Sequence, residues 1–337
     1  MIKEVIKKLV NKQNLSEKET YDVMNEIMSG QATQSQIASF LTALNMKGET
    51  IDEITGSVKS MRKFCNKVEH KFDIIIDTCG TGGDVLHTFN ISTLTAFVVA
   101  SADIPVAKHG NRSVSSKCGS ADLIEGFGIK LELDSNQAFK CLSETGFVFL
   151  FAPMFHPAMK YAIGPRKEIG IKSIFNIIGP LCNPCFVTRQ LIGVYDESLL
   201  KIVPQVLKNF DVQHAFVVRS DDGMDEISLS DNTKIAELKN GEIKYFEIIP
   251  KKYGFKKVNL EELRGGDVSE NIKITQDILN GEKGAKRDIV LLNAGAALFV
   301  ADKVKDIKEG IELAEDLIDS GKVLKKLQQL IEFSKKI

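Results

Sequence analysis

The chain lacks an excess of charge of either sign. Its 337 residues carry 44 Lys and Arg against 45 Asp and Glu, which leaves a net charge of −1. A near-neutral chain has no general attraction for nucleic acid or anionic lipid, so any anion-binding surface must be local. Internal repeats and low-complexity linkers are also lacking, and a hydrophobic content of 43% is enough for the core of one large domain or two.

Targeting segments and long apolar runs are absent as well. The first residues, MIKEVIKKLVNKQN, have charges scattered through them and no uninterrupted apolar core, unlike a signal peptide. The most apolar late run, IVLLNAGAALFVA, is too short to span a bilayer and contains Asn293. We therefore expect a soluble, cytoplasmic protein with no membrane partner.

The cysteines do not form a metal-binding pattern. Six are scattered through the chain, and Cys182 and Cys185 make one CxxC with no second CxxC or HxxxH. Because a zinc site needs two further ligands, we expect reduced intracellular thiols and neither a zinc site nor a redox motif.

The first 68 residues predict a small all-helical domain. Apolar residues recur at helical spacing, as in Ile37, Phe40, Leu41 and Leu44. Three capping boxes, in which a hydroxyl and an acid or amide satisfy the N–H groups at a helix start, mark helix beginnings. They are Ser16 with Glu19, Thr33 with Gln36, and Thr50 with Glu53. We predict about four helices ending near Lys67.

From residue 72 to residue 337 the pattern favours an α/β fold. Predicted strands are Phe72–Asp77, Ile104–Lys108, Phe147–Ala152, Gln190–Tyr195 and His214–Ser220. Predicted helices between them are Ser92–Ala102, Ser120–Phe127, Ser135–Thr145 and Leu199–Phe210, and the chain is helical again from Ile274. This alternation predicts a mostly parallel central sheet flanked by helices.

A glycine-rich stretch follows the first predicted strand. In DTCGTGGDVLHTFNIST, Gly80, Gly82 and Gly83 lie between that strand and a helix beginning at Ser92. Backbone without side chains can turn its N–H groups toward an anion, and a helix N-terminus adds a positive end. The spacing is neither Walker A nor GxGxxG. It predicts a phosphate-binding loop, with a glycine-rich turn at a strand end as the alternative.

A second loop has the composition of an anion site. KHGNRSVSSKCGSAD places Lys108 and Arg112 among glycines and serines, after a strand and before a helix beginning at Ser120. Two separated anion loops suggest a ligand with phosphates at both ends. A solvated basic loop is the alternative.

Two further features complete the candidate site. Asp225 and Glu226 follow the strand His214–Ser220, and Mg²⁺ prefers one or two carboxylates together with substrate phosphate oxygens. Arg166 lies in a stretch rich in Pro and Gly, where a guanidinium fork would suit a small carboxylate. The alternatives are a solvated acidic loop and a structural arginine.

These stretches, in this order, resemble the anthranilate phosphoribosyltransferases over essentially the whole chain. The motifs are GTGGD…TFNIST, KHGNR…SS…GSAD, HPAMK and DEISL. The resemblance implies transfer of a phosphoribosyl group from 5-phosphoribosyl 1-pyrophosphate (PRPP) to the amine of anthranilate in tryptophan biosynthesis, with two Mg²⁺ per subunit. It further implies a helical domain completed by helices from about 165–185, an active site in the cleft between the domains, and a homodimer formed through the helical domain.

Residue roles follow from the same resemblance. It assigns PRPP to Gly80, Gly83, Asp84, Thr88, Asn90, Ile91, Ser92, Thr93, Lys108, His109, Gly110, Asn111, Arg112, Ser113, Val114, Ser115, Ser116 and Ser120. It assigns anthranilate to Gly80, Asn111 and Arg166, and the metal to Ser92, Asp225 and Glu226. No strong acid or base is expected; Lys108, His109 and Arg166 are expected to position the substrates.

Three positions depart from the family pattern. Val85 stands where glycine is common, Pro165 directly precedes Arg166, and Lys172 occupies a position often held by Arg. These departures affect the expected affinity and leave the expected reaction class unchanged.

Two other functions are open to a chain of this architecture. A pyrimidine nucleoside phosphorylase would carry a Lys-His-Ser-Thr-Gly-Gly run, which is missing, and would need no metal. A nucleic-acid-binding relative of the same fold would show a basic stripe and incomplete loops, whereas this chain is near-neutral and keeps GTGGD and Asp225–Glu226.

Overall fold

The protein combines an N-terminal helical domain with a larger domain built on one sheet. The computed structural model describes residues 1–83, 86–113 and 117–337. Within them, one seven-stranded sheet has the order β3-β2-β1-β4-β5-β6-β7. Its strands are β1 (Ile76–Gly80), β2 (Val106–Gly110), β3 (Phe147–Phe151), β4 (Arg189–Gly193), β5 (His214–Ser220), β6 (Thr233–Lys239) and β7 (Glu242–Ile248). Strands β1 to β5 are parallel and the last two are antiparallel, which confirms the predicted fold class.

Helices surround this sheet and precede it. The N-terminal helices are α1 (Ile2–Val10), α2 (Glu17–Met28), α3 (Gln34–Lys47) and α4 (Ile51–Lys63). Those between the strands are α5 (Ile91–Ser101), α6 (Ser120–Gly126), α7 (Ser135–Thr145), α8 (Ala152–Phe155), α9 (Lys160–Ile169), α10 (Ile174–Ile178) and α11 (Leu199–Lys208). The C-terminal helices are α12 (Val268–Leu279), α13 (Ala285–Val300), α14 (Ile307–Asp319) and α15 (Lys322–Ser334). None of the helices in the described part of the chain is long and apolar enough to cross a membrane.

The three predicted capping boxes are confirmed, each with both reciprocal hydrogen bonds. The box that starts α4 has a further role because Glu53 is completely buried. Its carboxylate accepts from the backbone N–H of Leu15 at 2.9 Å and pairs with Lys47 at 2.9 Å. The same side chain therefore caps one helix and fixes two neighbouring segments to it.

The antiparallel hairpin β6–β7 was not predicted. Asn240 and Gly241 connect its strands, both with positive φ (+50° and +84°), as a type I′ turn requires. An Asn-Gly pair between alternating segments was therefore a usable signal. β7 is mostly exposed, so it lacks the apolar pattern that reveals a buried strand.

Both faces of the five parallel strands are buried, in two separate cores. On β5, Phe216 and Val218 belong to the core formed with α5, α7, α13, α14 and α15. Ala215 and Val217 alternate with them and belong to the core formed with α11. That second core continues through α10 into α1–α4, so the N-terminal helices pack as an extension of one face of the sheet.

The carboxyl ends of the parallel strands lie at one edge of the sheet. Gly80 of β1 pairs with Gly193 of β4, and Gly193 pairs in turn with Val218 of β5. The connections after β1 and β4 lead to opposite sides of the sheet order, and a crevice at such a switch point is the usual ligand site of an α/β sheet. The stretches singled out in the sequence follow β1, β2, β3 and β5 at this edge.

Candidate active site

The glycine loop begins directly after β1. Thr81 donates its backbone N–H to Gly193 O at 2.9 Å, which fixes the start of the loop on the neighbouring strand. Gly82 and Gly83 then have φ of +66° and +82°, a backbone conformation that favours glycine. Two predicted loop positions, Asp84 and Val85, lie outside the described residues. The chain continues into α5, whose N-terminal cap is Asn90.

The acidic pair predicted as a metal site lies against this glycine loop. Gly82 donates its backbone N–H to Asp225 Oδ2 at 3.0 Å. A Cβ at Gly80 would lie 2.7 Å from the same carboxylate oxygen, and one at Gly193 would overlap the main-chain oxygen of Asp225. The acidic loop can therefore approach the strand ends only because both paired residues are glycines.

Buried polar side chains outside the predicted set hold the acidic loop in place. Asn293 of α13 accepts from the backbone N–H of Ile227 at 3.0 Å and donates to Ile227 O at 2.8 Å. Asp222 accepts from the backbone N–H of Met224 at 2.9 Å and from the hydroxyls of Ser228 and Ser230. No sequence pattern marks Asn293 as part of the site, because it lies within an apolar helix.

Lys108 is buried between β1 and the start of α5. Its ammonium donates to Thr78 O and, at 3.2 Å, to Ser92 Oγ. Burial lowers the pKa of Lys108, against the attraction of Asp77. The predicted cation of the second loop is thus linked to the helix start of the first loop, where Ser92 is half-buried.

Asp77 is a buried acid that sequence reasoning missed. It is completely buried in β1 and accepts from Asn183 Nδ2 at 2.8 Å and from the backbone N–H of His109 at 3.3 Å. Burial raises the pKa of Asp77 to about 6, although Lys108 and these hydrogen bonds act in the opposite direction. Asp77 and Lys108 are thus two buried, oppositely charged side chains that attract each other beneath the predicted site.

In the second loop, two acids form ion pairs or hydrogen bonds with residues predicted to bind the substrate. Arg112 pairs with Glu125 at 2.7 Å and with Asp122 at 2.9 Å, and its guanidinium lies 5.6 Å from the ring centroid of Phe151. Asp122 also accepts from the backbone N–H groups of Ser113 and Gly119. The exposed Arg112 is therefore partly neutralised.

The remaining predicted positions of this loop surround that ion pair. Ser120 Oγ lies 3.4 Å from Asn111 O, and a Cβ at Gly110 would overlap the same hydroxyl. Val114, Ser115 and Ser116 lie outside the described residues.

The segment before α12 and the first turns of α12 support the end of the glycine loop. Thr88 pairs with Arg264 in an isolated antiparallel bridge, and Asn271 Oδ1 accepts from the backbone N–H of Asn90 at 3.1 Å. Asn90 Nδ2 also donates to Cys118 O at 3.3 Å, which links the two predicted anion loops. Ile91 and Thr93 are buried, so their side chains do not line the loop.

Two histidines pack against each other, His109 at the end of β2 and His156 directly after α8. The rings of His109 and His156 are 5.1 Å apart between centroids, and both are buried. Burial lowers the pKa of His109 well below its usual range and that of His156 to about 4, so both rings are neutral near pH 7.

Arg166 is half-buried, its guanidinium lies 5.0 Å from the ring centroid of Phe175, and burial lowers its pKa.

The side chains predicted to hold the metal have the chemistry that a hard cation prefers. Asp225, Glu226 and the Ser92 hydroxyl supply only oxygen, as Mg²⁺ prefers. Within residues 1–83, 86–113 and 117–337, no cluster of three or more His, Cys, Asp or Glu side chains could hold a metal alone. The side chains present therefore suit a cation that takes its remaining ligands from substrate oxygens and water.

Known proteins of the same architecture match the chain from end to end. Two family models match it, the glycosyl transferase family a/b domain over residues 73–324 and the glycosyl transferase family helical bundle domain over residues 3–65. The chain is 51% identical to the anthranilate phosphoribosyltransferase of Acetivibrio thermocellus over 334 residues, 99% of this chain and 97% of that protein.

Solved structures show the same likeness. The anthranilate phosphoribosyltransferase from Thermus thermophilus has a TM-score of 0.93 and 35% identity, with 98% of this chain and 99% of that one covered. The Saccharomyces cerevisiae enzyme in complex with PRPP and Mg has a TM-score of 0.92 and 28% identity, with 100% and 98% covered.

Proposed function

The chain belongs to the anthranilate phosphoribosyltransferase family, and we propose which of its residues carry out the reaction of that family. It transfers the phosphoribosyl group of PRPP to the amine of anthranilate and releases pyrophosphate, a step of L-tryptophan biosynthesis. The amine is a nucleophile when neutral and pyrophosphate is the leaving group, so the protein has mainly to position both substrates and stabilise charge.

The diphosphate of PRPP binds at the glycine loop and the start of α5, through Gly80, Gly83, Asp84, Thr88, Asn90, Ile91, Ser92 and Thr93. Backbone N–H groups at a helix start favour an anion there. The phosphorylated ribose binds to Lys108 and the segment from His109 to Ser116, with Ser120. The bond from Lys108 Nζ to Ser92 Oγ at 3.2 Å supports binding of the two ends of this substrate next to each other, because it joins the cation of the second loop to the start of α5.

Anthranilate binds through Arg166, Asn111 and the backbone at Gly80. The Arg166 guanidinium has one aromatic neighbour at 5.0 Å and is half-buried, which suits a small aromatic carboxylate. His109 is buried and neutral and its Nε2 has no hydrogen-bond partner among the described residues. It therefore positions the amine without acting as a strong base, as Lys108 and Arg166 position the other groups.

Mg²⁺ binds through Ser92, Asp225 and Glu226, with two ions per subunit. When bound, it neutralises the charge that develops on pyrophosphate as the leaving group. Asp225 is fixed for this role by the Gly82 N–H, and the backbone after Glu226 is fixed by Asn293.

The active site lies in a cleft between two domains, residues 1–68 completed by helices from about 165–185, and residues 72–337. Contacts of α9 and α10 with α2, α3 and α4 support this division. The helical domain also forms the homodimer interface, and the enzyme works in the cytoplasm.

The observation that carries the proposal is the bond from Gly82 N to Asp225 Oδ2 at 3.0 Å, which joins the metal-binding acids to the phosphate loop. The test follows anthranilate fluorescence with PRPP and Mg²⁺, omitting each component in turn. Consumption that requires all three is expected. Consumption without Mg²⁺, or activity with inorganic phosphate and a nucleoside, would overturn the assignment.

A further inference from the structure

Lys172 lies between α9, which carries Arg166, and α10. Its backbone is attached to the N-terminal helices, because Asn45 Nδ2 of α3 donates to Lys172 O at 3.1 Å. The origin of this side chain is therefore fixed on the helical side of the cleft.

The Lys172 side chain crosses to the sheet side. Its ammonium donates to Gly83 O at 2.9 Å and lies 3.9 Å from the ring centroid of Tyr195, which follows β4. A Cβ at Gly83 would lie 2.8 Å from Lys172 Cε, so the lysine stem rests directly on the glycine backbone. One residue thus joins α3, through its backbone, to the glycine loop and the segment after β4, through its side chain.

Among the described residues, the charge of this ammonium is only partly compensated. No carboxylate of the described residues lies within 4.0 Å of Lys172 Nζ, in contrast to Lys47 and Lys234. Glu49 and Asp196 are acids near Tyr195: burial raises the pKa of that tyrosine, and each acid raises it further. The bonds that Asp196 accepts from Ser198 mainly lower its own pKa, and Arg219 and Lys172 lower it further. The exposed ammonium, which contacts only a carbonyl and an aromatic face among the described residues, can therefore donate to an anionic oxygen as well. Such charge-assisted bonds are stronger than neutral ones.

We propose that Lys172 is a further PRPP-binding residue, whose ammonium pairs with the diphosphate over Gly83 from the helical side of the cleft. This inference rests on the proposed function, which places the diphosphate on the glycine loop. Because the same short segment follows Arg166, binding of the diphosphate also steadies the part of the chain that receives anthranilate.

Three variants of Lys172, with one control, separate the effect of its charge from that of its bond to Gly83 O. Lys172→Gln keeps a neutral donor for that carbonyl, Lys172→Met removes both donor and charge, and Lys172→Arg keeps both. Lys167→Met, on the exposed surface of α9, is the matched control. Steady-state kinetics and calorimetric binding of inorganic pyrophosphate with Mg²⁺ are the measurements.

The proposal expects Lys172→Gln and Lys172→Met to raise the KM for PRPP about 10- to 100-fold and to weaken pyrophosphate binding in parallel. Lys172→Arg and Lys167→Met should retain wild-type values. Wild-type values in Lys172→Gln, with a defect confined to Lys172→Met, would show that only the bond to Gly83 O matters and would overturn the proposal. A wild-type enzyme inactive with anthranilate and PRPP would instead overturn the proposed function.

Discussion

The main-chain oxygen of Asp225 lies so close to the Cα of Gly193 that a methyl group on Gly193 would overlap it. Gly193 is the register partner of Gly80, whose own Cβ would meet the Asp225 carboxylate. The acidic loop therefore rests on a surface formed by two paired glycines.

Gly193→Ala should displace Asp225 and weaken catalysis. A shift of about 1 Å at a reacting site can cost roughly 100-fold in rate, so we expect kcat/KM to fall about 100-fold. Overpacking should also lower the free energy of unfolding by about 1–3 kcal/mol. Gly164→Ala is the control, since the nearest atom to its new methyl is 3.8 Å away. Equal kinetics in the two variants would refute the packing argument.

Asp225→Asn combined with Glu226→Gln should abolish Mg²⁺-dependent turnover and leave the fold intact. A metal contributes several kcal/mol to stabilising transition-state charge, so kcat/KM should fall by at least about 1,000-fold. Kinetics across a Mg²⁺ titration and circular dichroism are the measurements. Asp221→Asn, an exposed residue of the same loop paired with Lys234, should be nearly silent. Wild-type rates in the double variant would remove the pair from the mechanism.

Asn293→Leu should displace the acidic loop, residues 221–230, although Asn293 is not one of the residues proposed to contact a substrate. It leaves the buried N–H and C=O of Ile227 unpaired, at a cost of about 1–3 kcal/mol for each group. We also expect a higher Mg²⁺ requirement and weaker Mn²⁺ binding by electron paramagnetic resonance. Leu292→Ala on the same helix should lose similar stability and keep the wild-type Mg²⁺ requirement. If both variants bind Mn²⁺ equally well, Asn293 has no positioning role.

The raised pKa of Asp77 predicts that the protein loses stability as pH rises, the opposite of the usual effect of a carboxyl group. Burial raises its pKa in the folded protein to about 6, so its contribution to stability is complete below its unfolded pKa and is lost as pH rises through about 6. The loss is on the order of 3 kcal/mol for a shift of about two pKa units. In denaturant unfolding between pH 4 and pH 7, Asp77→Asn should lack this decline relative to the wild type. Parallel curves for the two proteins would contradict the assignment.

The sequence predicted the elements of the fold well where the signal is local. Capping boxes such as Thr50 with Glu53 are formed within a few residues, and the strand His214–Ser220 has the predicted bounds. The first strand was placed at Phe72–Asp77 but runs over Ile76–Gly80, because the glycine that ends it also pairs in the sheet.

What the sequence could not predict depends on contacts between distant residues. The glycines at 80 and 193 serve the approach of Asp225, and Lys108 was expected at the second loop but is buried against Thr78 and Ser92. Neither follows from spacing along the chain, because each contact is formed only when the sheet brings separate strand ends together. The site residues assigned by resemblance stay predictions.

The connection between β5 and β6 has an electrostatic consequence at the site. The connection after β1 leads into α5, whose amino end presents a positive dipole, whereas the connection after β5 turns back as the antiparallel strand β6. Asp225 and Glu226 therefore lie in a connection that does not lead into a helix N-terminus, whose positive end would repel a cation. The two connections therefore place opposite charge along one edge of the sheet, a positive helix end after β1 and two adjacent carboxylates after β5.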